Sequence, residues 1–160
     1  EVRTHNFQLR EEAFWDVVRR RGLRVGKQDV FAVDSTYRGA YEDMSELLRK
    51  QRDRSQMPSA LFVSNDVMAY GCMQALGESG FTIPDDISIV GFDDLPASSM
   101  TNPPLTTVSV PKRAIGEFAI QTMLSRLHAG EPIPPVKTVI DGALVIRDSV
   151  KPISGQRAVR

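Results

Sequence analysis

The chain has one cysteine, one tryptophan and two histidines in 160 residues. A lone Cys72 closes no internal disulfide and builds no thiolate metal cluster, so a reducing cytoplasm is the expected setting. His5 and His128 stand in polar helical contexts and are read as solvated. Net charge is lacking too. Twenty basic and twenty acidic side chains cancel to a formal charge of zero, leaving no basic excess to grip a phosphate backbone. No apolar run approaches the roughly 18 residues needed to cross a bilayer, and no signal peptide is visible. Internal repeats and low-complexity tracts are absent. So are a phosphate-binding loop, a G-x-G-x-x-G fingerprint and a G-x-S-x-G nucleophile elbow. Enzyme chemistry and cofactor binding are poorly supported.

What is present is an ordinary globular composition, 41% hydrophobic and 25% charged, in a length that suits one domain with a real core. The chain begins at Glu1 without a methionine and enters a helix almost at once, so it is expected to be a piece of something longer. Phe7, Phe14, Val17 and Val18 recur at helical spacing over 7–21, and Gly22 stops that helix. The run Arg19-Arg20-Arg21 suits a helix C-terminus better than a nucleic acid. A short strand is predicted over Asp29–Val33, then an amphipathic helix over Tyr37–Gln51 with Tyr41, Met44, Leu47 and Leu48 inward. Ala60–Ser64 is a strand, and Asp66–Glu78 a helix with Met68, Cys72, Ala75 and Leu76 on one face. Cys72 is read as a small core residue. Ile87–Phe92 is a second buried strand. A loop over Leu95–Pro104, in which Pro103-Pro104 excludes helix, leads to a strand over Leu105–Val110. Pro111 opens a helix over Lys112–His128. Lys137–Ile140 and Ala143–Ile146 read as two strands about the Asp141-Gly142 turn. The tail beyond Val150 lacks periodicity and is expected to fray.

Continuous apolar strands alternating with helices indicate an α/β fold, a doubly wound parallel sheet covered on both faces. Ligands bind such sheets just beyond the carboxyl ends of the strands. Asn65 and Asp93 each stand at such an end. Asp93 can accept two hydrogen bonds from adjacent hydroxyls, or serve only to stabilise its turn. Asn65 is either a ligand contact or the N-cap of the helix after it. Arg10 could complete a polar cluster with its guanidinium fork, or be solvated. The pairs Asp85-Asp86 and Asp93-Asp94 invite a metal or acid–base reading. Yet neighbouring residues rarely point the same way, no histidine is near in sequence, and turn formation accounts for Asp85-Asp86. No metal site is expected.

Several blocks carry a resemblance. They are Ala60-Leu61-Phe62-Val63-Ser64-Asn65-Asp66-Val67-Met68-Ala69 and Ile83-Pro84-Asp85-Asp86-Ile87-Ser88-Ile89-Val90-Gly91-Phe92-Asp93-Asp94. Asn102-Pro103-Pro104-Leu105-Thr106-Thr107-Val108, Gly116 and Leu144-Val145-Ile146-Arg147-Asp148-Ser149 complete the set. In this order and spacing the chain resembles the effector-binding domain of the lactose-repressor/galactose-repressor family of bacterial transcription regulators. The resemblance implies a periplasmic binding protein-like fold of type I: two α/β subdomains around a cleft. On that basis 1–104 corresponds mostly to the C-terminal subdomain, 105–135 to the segment returning to the N-terminal subdomain, and 136–149 to C-terminal strands, with a flexible tail over 150–160. It implies effector contacts at Arg10, Asn65 and Asp93; Asp66 is also a family position, where a helix-start role is equally open.

The sequence also departs from the family. The usual glycine before the first aromatic is Ala13, and the position that often supplies a flat ring over the ligand is Ser35, with Tyr37 close by. The helix-turn-helix headpiece and most of the first subdomain have no counterpart here. Nor does the strand that normally precedes the Arg10 helix, which predicts an exposed sheet edge. The implied function is sensing of a small molecule, a sugar or sugar derivative, by a homodimeric cytoplasmic regulator. Its operator DNA would be bound through a headpiece outside this chain. A periplasmic sugar receptor serving transport is the alternative.

Overall fold

The computed structural model describes residues 5–51, 53–130 and 134–152. Among them lie four α-helices and four strands. In order they are α1 (His5–Arg21), α2 (Tyr37–Lys50), β1 (Ala60–Phe62), α3 (Asp66–Glu78), β2 (Ser88–Asp93), β3 (Thr106–Ser109), α4 (Lys112–His128) and β4 (Ala143–Val145). The strands form one sheet in the order β1-β2-β3-β4, the first three parallel and β4 antiparallel to β3. The α/β class read from the sequence is borne out.

The apolar runs became strands with one face buried: Leu61 and Ile89 are covered, while Ala60 and Phe62 are exposed and Ser88 and Val90 are half-buried. Ile87 and Ile89 are buried, as is Leu105 just before β3. Against them pack Ala69, Cys72, Ala75 and Leu76 of α3, and Met44 of α2 closes the layer. The two helices cross closely at Gly71, where an added Cβ would lie 2.4 Å from the Tyr37 carbonyl oxygen. Burial holds the Cys72 thiol up to about 12, as befits a core residue. The Gly22 stop holds, and Gly80 ends α3 in the same way. Gly22 and Gly80 adopt φ of 63° and 81°, and the following amides close the helix ends: Leu23 N–H donates to the Val18 carbonyl and Phe81 N–H to that of Leu76.

Four expectations change. Asp29–Val33 is not a strand: a 3-10 turn spans Lys27–Asp29, where Asp29 Oδ2 accepts from Gly26 N–H at 2.8 Å. Beyond it Phe31 and Val33 do reach the core, but no strand lies beside them to complete a ladder among the described residues. Lys137–Ile140 is also unpaired, so Asp141-Gly142 is not a hairpin turn. Gly142 instead lets the chain run against β3, since a Cβ there would meet the Ser109 carbonyl oxygen at 2.8 Å. On α1, Val18 is buried while Val17 faces solvent. Within the 95–104 loop, Pro96–Ser99 makes a 3-10 turn, begun by proline at its first position.

β1 forms one edge of the sheet, where Phe62 is half-exposed and stacks on Phe14 of α1 with centroids 6.0 Å apart. β3 belongs to the same sheet as β1 and β2. α4 buries none of its residues and exposes Ile115, Phe118, Ile120, Met123, Leu124 and Leu127. The tail expected to fray lies mostly outside the described residues. Its first part is anchored: Lys151 N–H donates to Ser88 Oγ at 3.3 Å.

Candidate effector site at the carboxyl edge of the sheet

β1 and β2 run parallel, so their carboxyl ends present Ser64-Asn65 and Asp93 on one edge. α1 places Arg10 over that edge. Its Nη1 donates to the Ser64 carbonyl at 2.6 Å, and its Nη2 lies 3.6 Å from Asp93 Oδ1. The guanidinium sits on the Phe92 ring, 3.8 Å from the centroid, with Phe7 on its other flank at 5.8 Å. Aromatic faces therefore hold the fork in place while one side stays partly open to solvent.

Burial lowers the Arg10 pKa from its ordinary value, and the Asp93 charge works against that shift. Asp93 is held above the usual carboxylate range, first by burial and also by nearby Asp66, with Arg10 and Lys112 opposing. Both directions say the same thing: the crevice is dry enough that lost hydration outweighs the pair's attraction at 3.6 Å.

Asn65 does cap α3: its Oδ1 accepts from Met68 N–H at 2.8 Å. Asn65 is half-buried just past β1, and a side-chain amide that caps through its oxygen can still donate through its nitrogen. Capping and ligand contact are therefore compatible. Tyr37 stands elsewhere. Its hydroxyl bonds Gln74, nine residues along α3 from Asn65 and so about 13 Å up the helix axis. Asp85-Asp86 sits before β2, at the opposite end of the sheet. There Asp86 Oδ2 accepts from Thr82 N–H at 2.7 Å and faces Arg54 at 3.7 Å, a turn function.

The turn after β2 is unusual. Asp93 and Asp94 have φ of 119° and 51°, a conformation costly for side-chain-bearing residues, of order 1–3 kcal/mol each. What holds it was not singled out in the sequence. Arg147 Nη2 donates to Asp94 Oδ1 at 2.7 Å while its Nη1 donates to the Leu105 carbonyl at 2.8 Å. This keeps the Asp94 carboxyl below its ordinary value. Lys112 Nζ, at the start of α4, donates to the Asp93 carbonyl. Asp66 lies wholly buried beneath the turn. Ser149 stitches β2 to β3, its Oγ donating to the Ile89 carbonyl at 2.6 Å and accepting from Thr106 N–H at 2.7 Å. Arg147 and Ser149 belong to a block that marked the resemblance, and that was the only signal for them.

A profile of the periplasmic binding protein-like domain family matches residues 2–150. The chain belongs to this family. Its relatives are the lactose-repressor-type regulators that the sequence blocks resemble. The HTH-type transcriptional repressor PurR of Glaesserella parasuis is 33% identical over 149 residues, which is 90% of this chain and 43% of that protein. Among solved structures, a complex of the transcriptional regulator CelR with cellobiose superposes with a TM-score of 0.77 at 28% identity, over 88% of this chain and 41% of that one. A LacI family regulator from Lactobacillus casei with bound sucrose gives 0.76 at 26%, over 93% and 53%. The chain thus spans about half the length of these relatives or less.

Proposed function

We propose that this chain is part of an effector-binding region in a LacI-type transcription regulator. Arg10, Asn65 and Asp93 are its ligand contacts. The observation that carries this reading is the Arg10 guanidinium, which bridges the carboxyl ends of two parallel strands while keeping one side open. A fork donor, a carboxylate acceptor and an amide on one edge suit a polyhydroxylated molecule, so the effector is a sugar or sugar derivative. The cellobiose and sucrose held by two structural neighbours support that class.

On this reading the ligand bridges to a second subdomain supplied by the rest of the protein. Closure then alters how a homodimer presents helix-turn-helix headpieces to operator DNA in the cytoplasm. The ligand works because it binds one state better than the other; equal affinity would shift nothing. The exposed apolar residues of α4 are the part of this chain available to that subdomain and to the dimer. No helix among the described residues is long and apolar enough to cross a membrane. The family name also fits a solute receptor for transport, and the first residues of the full-length gene product decide between the two. A leader peptide there means receptor, a helix-turn-helix regulator.

The test is a thermal-shift screen of the full-length gene product. The panel holds pentoses, hexoses, cellobiose, sucrose, sugar phosphates and purines, with Asp93→Ala and Arg10→Ala alongside. A ligand at about a hundred times its Kd adds about 2.7 kcal/mol, readily seen. Loss of a sugar's shift in both variants supports the site. An undiminished shift in both sinks it.

A further inference from the structure

The buried carboxylate of Asp66 is the centre of a network that ends on the ligand-facing turn. Asp66 has no exposed surface. Its Oδ2 accepts from Leu95 N–H at 2.9 Å and from Ser98 Oγ at 2.6 Å, and its Oδ1 accepts from Thr107 Oγ1 at 2.6 Å. Those bonds fix the proton directions beyond them. Ser98 gives its one hydrogen to Asp66, so Tyr70, 2.7 Å away, must be the donor in their mutual bond. Thr107 likewise gives its hydrogen to Asp66, leaving a lone pair for the Asp94 amide at 3.4 Å. One carboxylate therefore anchors two consecutive backbone amides just after Asp93: Leu95 directly, Asp94 through Thr107. Between strand and anchor lies Asp93, at a φ of 119°.

A capped helix start does not require any of this. Asn65 already caps α3, and Asp66 turns its oxygens away from the helix toward β3 and the 95–98 segment. The strand leaves room for it, since a Cβ on Gly91 would come within 2.3 Å of Asp66 Oδ1. Hydrogen bonds to an ionised acceptor are strong and short in a dry interior, which suits them to holding a costly backbone conformation.

We propose that Asp66 is the positioning residue of the effector site: through Leu95, Ser98 and Thr107 it holds the Asp93-Asp94 turn in the conformation that presents the Asp93 carboxylate to Arg10 and the ligand. The inference rests on the pocket assigned above. It adds a residue that touches no ligand yet sets the affinity of one that does.

The decisive variants are Thr107→Val, Thr107→Ser and Asp66→Asn in the full-length gene product. Valine removes the hydroxyl that links Asp66 to the Asp94 amide without changing charge, and serine restores it. Hydrogen–deuterium exchange by mass spectrometry compares peptides spanning 92–97 with a reference spanning 86–91. Thr107→Val and Asp66→Asn should speed exchange in 92–97 by at least about tenfold more than in the reference, and Thr107→Ser should return it to wild type. Equal acceleration in both peptides would mean a purely structural role and overturns the proposal. Affinity for cellobiose and sucrose is measured on the same variants and on Asp93→Ala. Where Asp93→Ala abolishes binding of either sugar, Thr107→Val should weaken it at least about tenfold and serine should rescue it. Affinity unchanged in Thr107→Val but lost in Asp93→Ala overturns the positioning role while the pocket stands. Affinity unchanged in Asp93→Ala overturns the pocket and the inference with it. The exchange comparison discriminates between the two roles whether or not either sugar binds.

Discussion

A methyl group on Gly91 would sit 2.3 Å from Asp66 Oδ1, so it is the bare strand backbone that lets this carboxylate lie against the sheet. The same methyl would come 2.9 Å from Leu105 Cδ2, which is itself fully buried. Neither neighbour can retreat, because Asp66 is tied at both oxygens and Leu105 is packed all round. Gly91→Ala is therefore expected to cost about 2–4 kcal/mol, at or above the usual range for overpacking. Urea unfolding measures it, and a loss under about 1 kcal/mol would show that the sheet can give way here.

The Asp94–Arg147 pair predicts a pH dependence. Hydrogen bonding to Arg147 holds the Asp94 carboxyl below its ordinary value. A group depressed in the folded state contributes stability above its unfolded pKa of about 3.9, and that stability is lost as pH falls through the lower folded value. Asp94→Asn should cost about 1–2 kcal/mol at neutral pH and flatten the acid limb of the stability curve. The control is thermal unfolding between about pH 2 and 6, beside wild type. An identical acid limb in both proteins rules out the pair as its source.

Asp93 behaves in the opposite sense. Burial and Asp66 raise its pKa, so it protonates earlier than an ordinary aspartate as pH falls. Its folded form binds the proton more tightly than the unfolded chain does. Asp93 alone therefore makes the protein less stable as pH rises through its folded value. Ligand affinity moves the other way, because a protonated carboxyl accepts fewer hydrogen bonds from sugar hydroxyls. Affinity for the sugar identified in the screen should decline on acidification from a pH above about 4, and calorimetry across about pH 4 to 7 follows it. A flat profile down to the ordinary aspartate range would argue that Asp93 does not meet the ligand as a carboxylate.

Much of the fold was legible because its signals are local. Unbroken apolar runs mark β1 and β2, a 3.6-residue period marks α2 and α3, and glycines mark both helix stops. The misread strands share a different cause. Phe31 and Val33 carry strand-like side chains, but a strand is a ladder, and none of the strands among the described residues pairs with them. The site divides in the same way. Arg10, Asn65 and Asp93 could be named from positions at strand ends and from the resemblance. The support beneath them could not, because Asp66 meets Ser98 and Thr107 across separations of 32 and 41 residues. Nothing in a serine or a threonine announces that it will face a buried carboxylate.

Cys72 offers a test of the core itself. Its thiol is buried on α3 and pushed up to about 12, so almost none of it is thiolate near neutrality. Because the thiolate is the reacting species, a disulfide reagent at about pH 8 should modify Cys72 orders of magnitude more slowly in the folded protein than in urea. Rapid modification without denaturant would mean that α3 opens far more readily than its packing allows.

The final prediction concerns two exposed apolar surfaces. Phe118, Ile120, Met123 and Leu127 of α4 are 50%, 56%, 54% and 72% exposed, and together they make one helix apolar without a core to serve. The β1 edge beside half-exposed Phe62 is the second such surface. Apolar patches and open strand edges of this kind drive association. The 160-residue chain on its own should therefore sediment above monomer at tens of micromolar, by the rough scale on which weak apolar contacts assemble. Phe118→Glu with Leu127→Glu should shift it toward monomer if α4 is the contact, whereas Phe62→Lys should do so if the sheet edge is. A chain that is already strictly monomeric and well folded would mean that both surfaces are stable in water, and that α4 needs no partner to hold its place.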